Sequence, residues 1–219
     1  MCGIVGTNFN PQIDFLKVTN IMKNRGPDDT SVYSHRDNFF GHTRLSIIDL
    51  KEEANQPMIF DDLLITFNGE IYNYDELKIS EKIVCQTSSD TEVLIRLYQK
   101  YDVDFLNLLN GAFSFCIYDM KKDRFFCARD RYGKKPFFYY AKENKFIYSS
   151  MLKPIISLLG FTPNLNKVAL SQYLQFFVPL SPNTFYKDIY KLDNASYLLY
   201  ENNKLVIKKY YKIKTYKKI

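Results

Sequence analysis

The sequence has no tryptophan and only two histidines and four cysteines among its 219 residues. The cysteines, Cys2, Cys85, Cys116 and Cys127, show no C-x-x-C spacing. With so few histidines there is no zinc-ligand pattern and no disulfide framework to read. No apolar run approaches the roughly 18–20 residues of a membrane span. The N-terminus lacks a charged segment followed by an apolar core, so no secretory signal is expected. These absences predict a cytoplasmic protein with no metal site and no membrane contact. Repeats and low-complexity linkers are also missing. One domain is therefore expected over residues 1–219, with a core at about 2–160 and a C-terminal extension at about 161–219.

Acidic residues are missing from the lysine-rich C-terminal end. Between Lys204 and Ile219 stand seven lysines and no acid. Without them the net charge of +6 becomes a near balance of 23 basic and 24 acidic residues. A neutral body with a basic tail reads either as a solvated tail or as a strip that docks to an acidic partner or nucleic acid. The expected form is a surface strand plus a linker.

What is present is apolar and aromatic. The chain is 46% hydrophobic and carries 18 Tyr and 18 Phe, enough for a sizeable core. Asp14 as N-cap, apolar residues from Phe15 to Met22 and Gly26-Pro27 predict a helix over 14–24. Arg25 to Asp29 then reads as a turn, or as a mobile loop hinged at Gly26. Phe39–Leu50 and Leu63–Phe67 read as strands, the second ending at an Asn68-Gly69 turn signal. Ser89 and Glu92 form a capping-box pattern before a helix that carries Val93, Leu94, Leu97, Tyr98 and Tyr101. Short aromatic runs at 112–118, 125–128, 136–140 and 146–148, joined by polar connections, predict an antiparallel hairpin sheet. Helices at 153–159 and 167–176 and strands over 184–211, turning at Asn202-Asn203, complete an α+β class.

Four features carry chemistry, and each has a plain alternative. Cys2 becomes the N-terminus if Met1 is trimmed, which places a thiol and a free α-amine on one residue. An amine with a pKa near 7.7–8.0 can serve as general base to its own thiol. Cys2 can equally be an ordinary buried thiol. Arg44 lies among apolar residues, where a guanidinium needs an anion, either a structural carboxylate or that of a substrate. Asn68 beside the Gly69 amide is a turn, or a pair of oxyanion donors. Asp90 sits in the first turn of that helix, where unpaired N–H groups favour a carboxylate, or it faces a ligand ammonium. His42 reads as a core histidine rather than a catalytic base.

Taken in order, the blocks Met1-Cys2-Gly3-Ile4-Val5-Gly6, Arg25-Gly26-Pro27-Asp28-Asp29, His42-Thr43-Arg44-Leu45-Ser46-Ile47-Ile48-Asp49, Gln56-Pro57, Phe67-Asn68-Gly69-Glu70-Ile71-Tyr72-Asn73, Ser89-Asp90-Thr91-Glu92, Gly111-Ala112-Phe113 and Ala128 to Pro136 span nearly the whole chain. This series resembles the glutaminase domain of asparagine synthetase, a class II glutamine amidotransferase with an N-terminal nucleophile.

The resemblance implies a four-layer αββα sandwich of two antiparallel sheets. It implies Cys2 as nucleophile, Asn68 and Gly69 as oxyanion holders, and Arg44 as grip for the α-carboxylate of L-glutamine. Asp90 and Glu70 would receive its α-ammonium, and Leu45, Ile47 and Ile48 would complete the pocket. The 112–149 strands would only support the site.

No cofactor is implied for this chain. ATP and Mg belong to a synthetase domain whose Ser-Gly-Gly-x-Asp-Ser loop is not found here. The implied partner is a synthetase domain or subunit that receives ammonia. A homodimer, a sugar or modified acid as the acceptor, and a non-catalytic partner-dependent subunit are left open. No nucleic acid is expected as a partner.

Overall fold

The computed structural model describes residues 1–212. In chain order its elements are β1 (Gly3–Thr7), α1 (Phe15–Asn20), β2 (Asp29–His35), β3 (Asn38–Arg44), β4 (Met58–Phe60), β5 (Leu63–Ile71), α2 (Tyr74–Ser80), α3 (Asp90–Tyr101), β6 (Gly111–Asp119) and β7 (Arg124–Arg129). There follow β8 (Phe138–Lys142), β9 (Lys145–Ser149), α4 (Leu152–Leu159), α5 (Lys167–Phe176), β10 (Ile189–Lys191), β11 (Ser196–Glu201) and β12 (Lys204–Lys209). The strands form two six-stranded sheets, ordered β10-β8-β9-β1-β3-β2 and β12-β11-β7-β6-β5-β4. Every pairing is antiparallel.

The expected αββα sandwich is what forms, and its layers follow from residue alternation. Neighbouring residues on a strand face opposite sides. On β1, Ile4 joins the core between the sheets while Val5 joins the one beneath α1 and α4. The inter-sheet layer is rich in aromatics, with Phe146 stacked on Tyr200 at 4.7 Å between ring centroids. On the outer face of the second sheet, Val93, Leu94, Leu97 and Tyr98 of α3 cover Phe67, Phe113, Phe115 and Phe126. Three predicted members of the α3 face, Val93, Leu94 and Leu97, are fully buried, whereas Tyr101 is exposed.

Several boundaries differ from expectation. The first helix stops at Asn20 and passes through a 3₁₀ turn at Lys23–Arg25. β2, β4 and α2 carry no strong periodic signal and went unpredicted. β3 ends at Arg44, and residues 45–50 leave the sheet as a loop. Asn68-Gly69 is no turn, because β5 runs through it to Ile71 with Asn68 opposite Ser114 and Gly69 opposite Phe113.

Gly26 has a packing reason to be glycine. A Cβ there would lie 2.3 Å from the Thr43 carbonyl oxygen, so glycine permits a close backbone crossing. The loop around it is pinned by Asp28 N donating to Arg44 O at 3.0 Å and Ser46 N donating to Asp28 Oδ2 at 2.7 Å.

The capping box is also modified. Ser89 Oγ accepts from Thr91 N, but Glu92 turns back to take the amides of Gln86 and Thr87 and to pair with Arg96 at 3.0 Å. Residues after 160 do more than cover the core, since β10 extends the first sheet and β11–β12 the second. The basic tail begins as the exposed edge strand β12, and its part at 213–219 lies outside the described residues.

Candidate active site

A pocket opens where β1, β3, β5 and the N-terminus of α3 meet. It is lined by Cys2, Arg44, Leu45, Ile47, Ile48, Asn68, Gly69, Glu70 and Asp90, so all nine residues singled out from the sequence converge there. They come from four separate segments, and strand register brings them together. Met1, Ala54, Gln56, Phe67, Ser89, Thr91 and Lys135 complete the wall.

Cys2 is half-buried at the start of β1. The Leu45 amide faces its Sγ at 3.5 Å, and Arg25 Nε donates to its carbonyl at 3.0 Å. Burial raises the thiol pKa, and the Leu45 amide, the chain's amine, Arg44 and Lys135 oppose that rise. The amine here belongs to Met1, which lines the same pocket, and burial lowers its pKa.

The Gly69 amide is free because of strand parity. Phe113, its register partner, directs both backbone groups to the other side. Phe113 N donates to Asp130 Oδ2 at 3.2 Å, and Phe113 O accepts from Asp130 N at 2.9 Å. Gly69 and Phe113 therefore form the non-hydrogen-bonded kind of antiparallel pair, with the closer Cα approach. A Cβ on Gly69 would sit 2.7 Å from Phe113 Cα.

On the opposite edge of β5, the amides two residues either side of Gly69 are taken by side chains. Phe67 N donates to Gln56 Oε1 at 2.6 Å, and Ile71 N to Asp90 Oδ2 at 2.9 Å. β4 pairs only as far as Ile65. The Gly69 N–H thus points into the pocket unclaimed. Asn68 beside it is fully buried. Its Nδ2 donates to Ser114 Oγ at 3.5 Å and its Oδ1 has no partner. Ser114 Oγ spends its own proton on Pro136 O, which keeps the Asn68 amide nitrogen on that side.

Arg44 and Asp90 supply opposite charges. Arg44 is buried and donates only to neutral oxygens: Lys51 O at 2.9 Å, Asn55 Oδ1 at 2.5 Å, Ile48 O at 3.5 Å and the carbonyl of Asp49. No carboxylate pairs with it among the described residues. Of the two readings of this arginine, the structural carboxylate is therefore not found. A buried guanidinium whose charge is unbalanced is a site for an anion. Asp90 is buried in the first turn of α3, and burial lifts its carboxyl to about 6, with Glu70 adding to the rise and the Ile71 amide opposing it. An acid held this way is ready to meet a cation.

A glutamine amidotransferase domain family model matches residues 1–211, the whole span that builds this pocket. The chain belongs to the class II glutamine amidotransferase family. It is 39% identical over 240 residues to a Methanocaldococcus jannaschii protein provisionally named glutamine-hydrolysing asparagine synthetase 2, covering 96% of this chain and 46% of that protein. It is 32% identical to glutamine-hydrolysing asparagine synthetase 3 of Bacillus subtilis, covering 99% of this chain and 38% of that protein. The chain thus spans less than half the length of these relatives. In fold it is similar to the glutamine phosphoribosylpyrophosphate amidotransferase of Bacillus subtilis, with a TM-score of 0.69 at 16% identity, over 95% of this chain and 49% of that one.

In this amidotransferase domain seven wall residues escaped sequence reasoning as site residues, and three of them show how the wall is built. Gln56 has no chemical signature, yet its side chain stands in for a missing strand partner, accepting from Phe67 N and donating to Thr91 Oγ1 at 3.2 Å. Thr91 is visible in sequence only as part of a cap. Lys135 reaches the pocket from the 130–135 turn, so the 112–149 region does more than support the site. The buried Asp130 carboxylate shapes that turn by accepting the amides of Tyr132, Lys134 and Lys135, each at 3.0 Å. A lysine in a charged connection carries no signal for this. His42 is a core histidine, fully buried, with Nε2 facing Phe67 O at 3.2 Å and its pKa lowered by desolvation to about 4, but its hydrogen bonds are not all satisfied as expected, since Nδ1 is buried without a partner. Among the described residues no helix is long and apolar enough to cross a membrane.

Proposed function

We propose that this domain hydrolyses L-glutamine to glutamate and ammonia with Cys2 as nucleophile, and that the ammonia serves an asparagine-synthetase-type reaction in a synthetase domain or subunit. The observation that carries the reading is the unclaimed Gly69 amide in the pocket that holds Cys2, with a buried cation (Arg44) and a buried acid (Asp90) in the same wall. Glutamine needs those four things: a nucleophile, an oxyanion donor, an anion site for its α-carboxylate and a cation site for its α-ammonium.

Removal of Met1 moves the free amine to Cys2. That amine takes the thiol proton as the sulfur attacks the side-chain amide carbon of glutamine. The tetrahedral oxyanion accepts from Gly69 N–H and the second Nδ2 hydrogen of Asn68. The C–N bond breaks, the amine returns the proton to the nitrogen, and ammonia leaves a γ-glutamyl thioester on Cys2. Water, deprotonated by the same amine, attacks the thioester; the C–S bond breaks, the Cys2 sulfur takes the proton back from the amine, and glutamate departs. Arg44 holds the α-carboxylate throughout, Asp90 and Glu70 hold the α-ammonium, and Leu45, Ile47 and Ile48 close the pocket.

The test is glutamate release by the purified chain. The chain with Met1 removed is expected to release glutamate, and Cys2→Ala to abolish it. Full activity of Cys2→Ala, or of a sample whose intact mass retains Met1, would overturn the mechanism.

A further inference from the structure

α5 and the loop that follows are built in a way the isolated domain does not explain. Residues 161–180 contain one charged side chain, Lys167. Among the described residues, ten of the 28 exposed large apolar side chains lie within these 20. Leu174 is 72% exposed and Phe177 82%. Only Ala169 of α5 is buried. A ten-residue helix is marginal in water without a packed face, since isolated helices shorter than about 12–15 residues barely form.

The backbone points the same way. Asn166 caps the helix start, accepting from the amides of Val168 and Ala169. The helix ends on Phe177 in the left-handed region, at φ 60. Phenylalanine is an uncommon residue for this conformation, and here its ring lies in water.

We infer that the face formed by α5 and residues 177–180 is the docking surface for the ammonia-accepting synthetase protein. This rests on the function proposed above. The occupant is chosen on two grounds. The relatives extend well beyond the matched part, which is 46% and 38% of their lengths, so each holds further chain that this domain would pack against. And no residue of 161–180 lines the glutamine pocket, so a protein seated there leaves glutamine entry open. The surface is nearly uncharged, so it fits an apolar face and not an acidic or nucleic-acid partner.

The test uses the full chain carrying Leu174→Glu and Phe177→Glu together, alone and placed in the Methanocaldococcus jannaschii relative in exchange for the part it matches. In the exchange protein, glutamine-supported asparagine formation should fall at least about tenfold, the size of effect that follows loss of a buried apolar anchor. Ammonia-supported formation and glutamate release should stay within about twofold. Unchanged glutamine-supported formation overturns the docking surface while glutamate release still supports the proposed function. Loss of glutamate release from the unsubstituted chain overturns that function instead.

If the exchange protein lacks ammonia-supported activity, the chain alone decides. Its melting temperature should be unchanged by the double substitution, because nothing covers these side chains. A clear fall in melting temperature, or a dimer in sedimentation that the substitution dissolves, assigns the face to the chain's own packing or to a second copy and overturns the proposal.

Discussion

Phe113 gives both of its backbone groups to Asp130, and this leaves the amide of Gly69, its partner across the strand pair, free for the pocket. The bonds that satisfy one side of β6 are thus what empty a donor on β5.

The first prediction concerns that donor pair. Gly69→Ala puts a methyl 2.3 Å from the Ala112 carbonyl oxygen, a backbone atom that cannot move without breaking the ladder. It should abolish glutamate release and lower the unfolding midpoint. Asn68→Ala removes only a side chain. It should leave the fold intact and lower kcat about 10²–10³-fold with little change in KM, the usual cost of one oxyanion donor. Steady-state kinetics with a thermal melt separates the two outcomes.

Arg44→Lys keeps a charge but loses the planar fork that spans Lys51 O, Asn55 Oδ1 and Asp49 O. KM for glutamine should rise about tenfold or more, consistent with a charged hydrogen bond worth about 1.5–3 kcal/mol, with a smaller change in kcat. A fall in kcat at constant KM would place Arg44 outside substrate binding.

Asp90 and His42 shift in opposite senses, and both follow from burial. The Asp90 carboxyl is raised to about 6. Its unfolded value is near 3.9, so the folded state holds its proton more tightly. Stability from this group is full below about pH 4, falls as pH rises through about 6, and is level above. His42 is lowered to about 4. The unfolded state, near 6.5, binds the proton more tightly, so this contribution is full above about pH 6.5 and is lost as pH falls to about 4. The two trends oppose each other between pH 4 and 6. Asp90→Asn should therefore be more stable than the parent at pH 7 and lose that advantage towards pH 4. It should also raise KM strongly, because the ammonium loses its counter-charge. Denaturant titrations at pH 4, 5, 6 and 7 read the first effect and kinetics the second.

Asp130→Asn tests the turn that delivers Lys135. The carboxylate accepts four backbone amides, from Phe113, Tyr132, Lys134 and Lys135. An asparagine presents one acceptor and turns a donor towards the rest, so a loss of about 3 kcal/mol or more is expected from buried donors left unpaired. Urea unfolding measures it. A loss below about 1 kcal/mol would mean that water replaces those bonds.

Local pattern settled a good part of this protein. The aromatic hairpin runs from Gly111 to Ser149, the Asn202-Asn203 turn and the helix following Ser89 are all written in neighbouring residues, because pleat and helix periods act over a few positions. The ordered motif blocks also marked Cys2, Arg44, Asn68, Gly69 and Asp90 as one set. What neighbouring residues could not decide is which backbone groups are left over. Asn68-Gly69 reads locally as a turn and becomes a strand because β6, more than 40 residues later, pairs with it. Whether the Gly69 amide is bonded or free depends on register parity with Phe113 and on Asp130 beyond that. That Arg44 has no carboxylate partner among the described residues is decided by the 48–55 loop, which meets it with neutral oxygens. The exposed face of α5 is likewise invisible in a sequence whose apolar residues look like any core, since burial is a property of what packs against a helix and not of the helix alone.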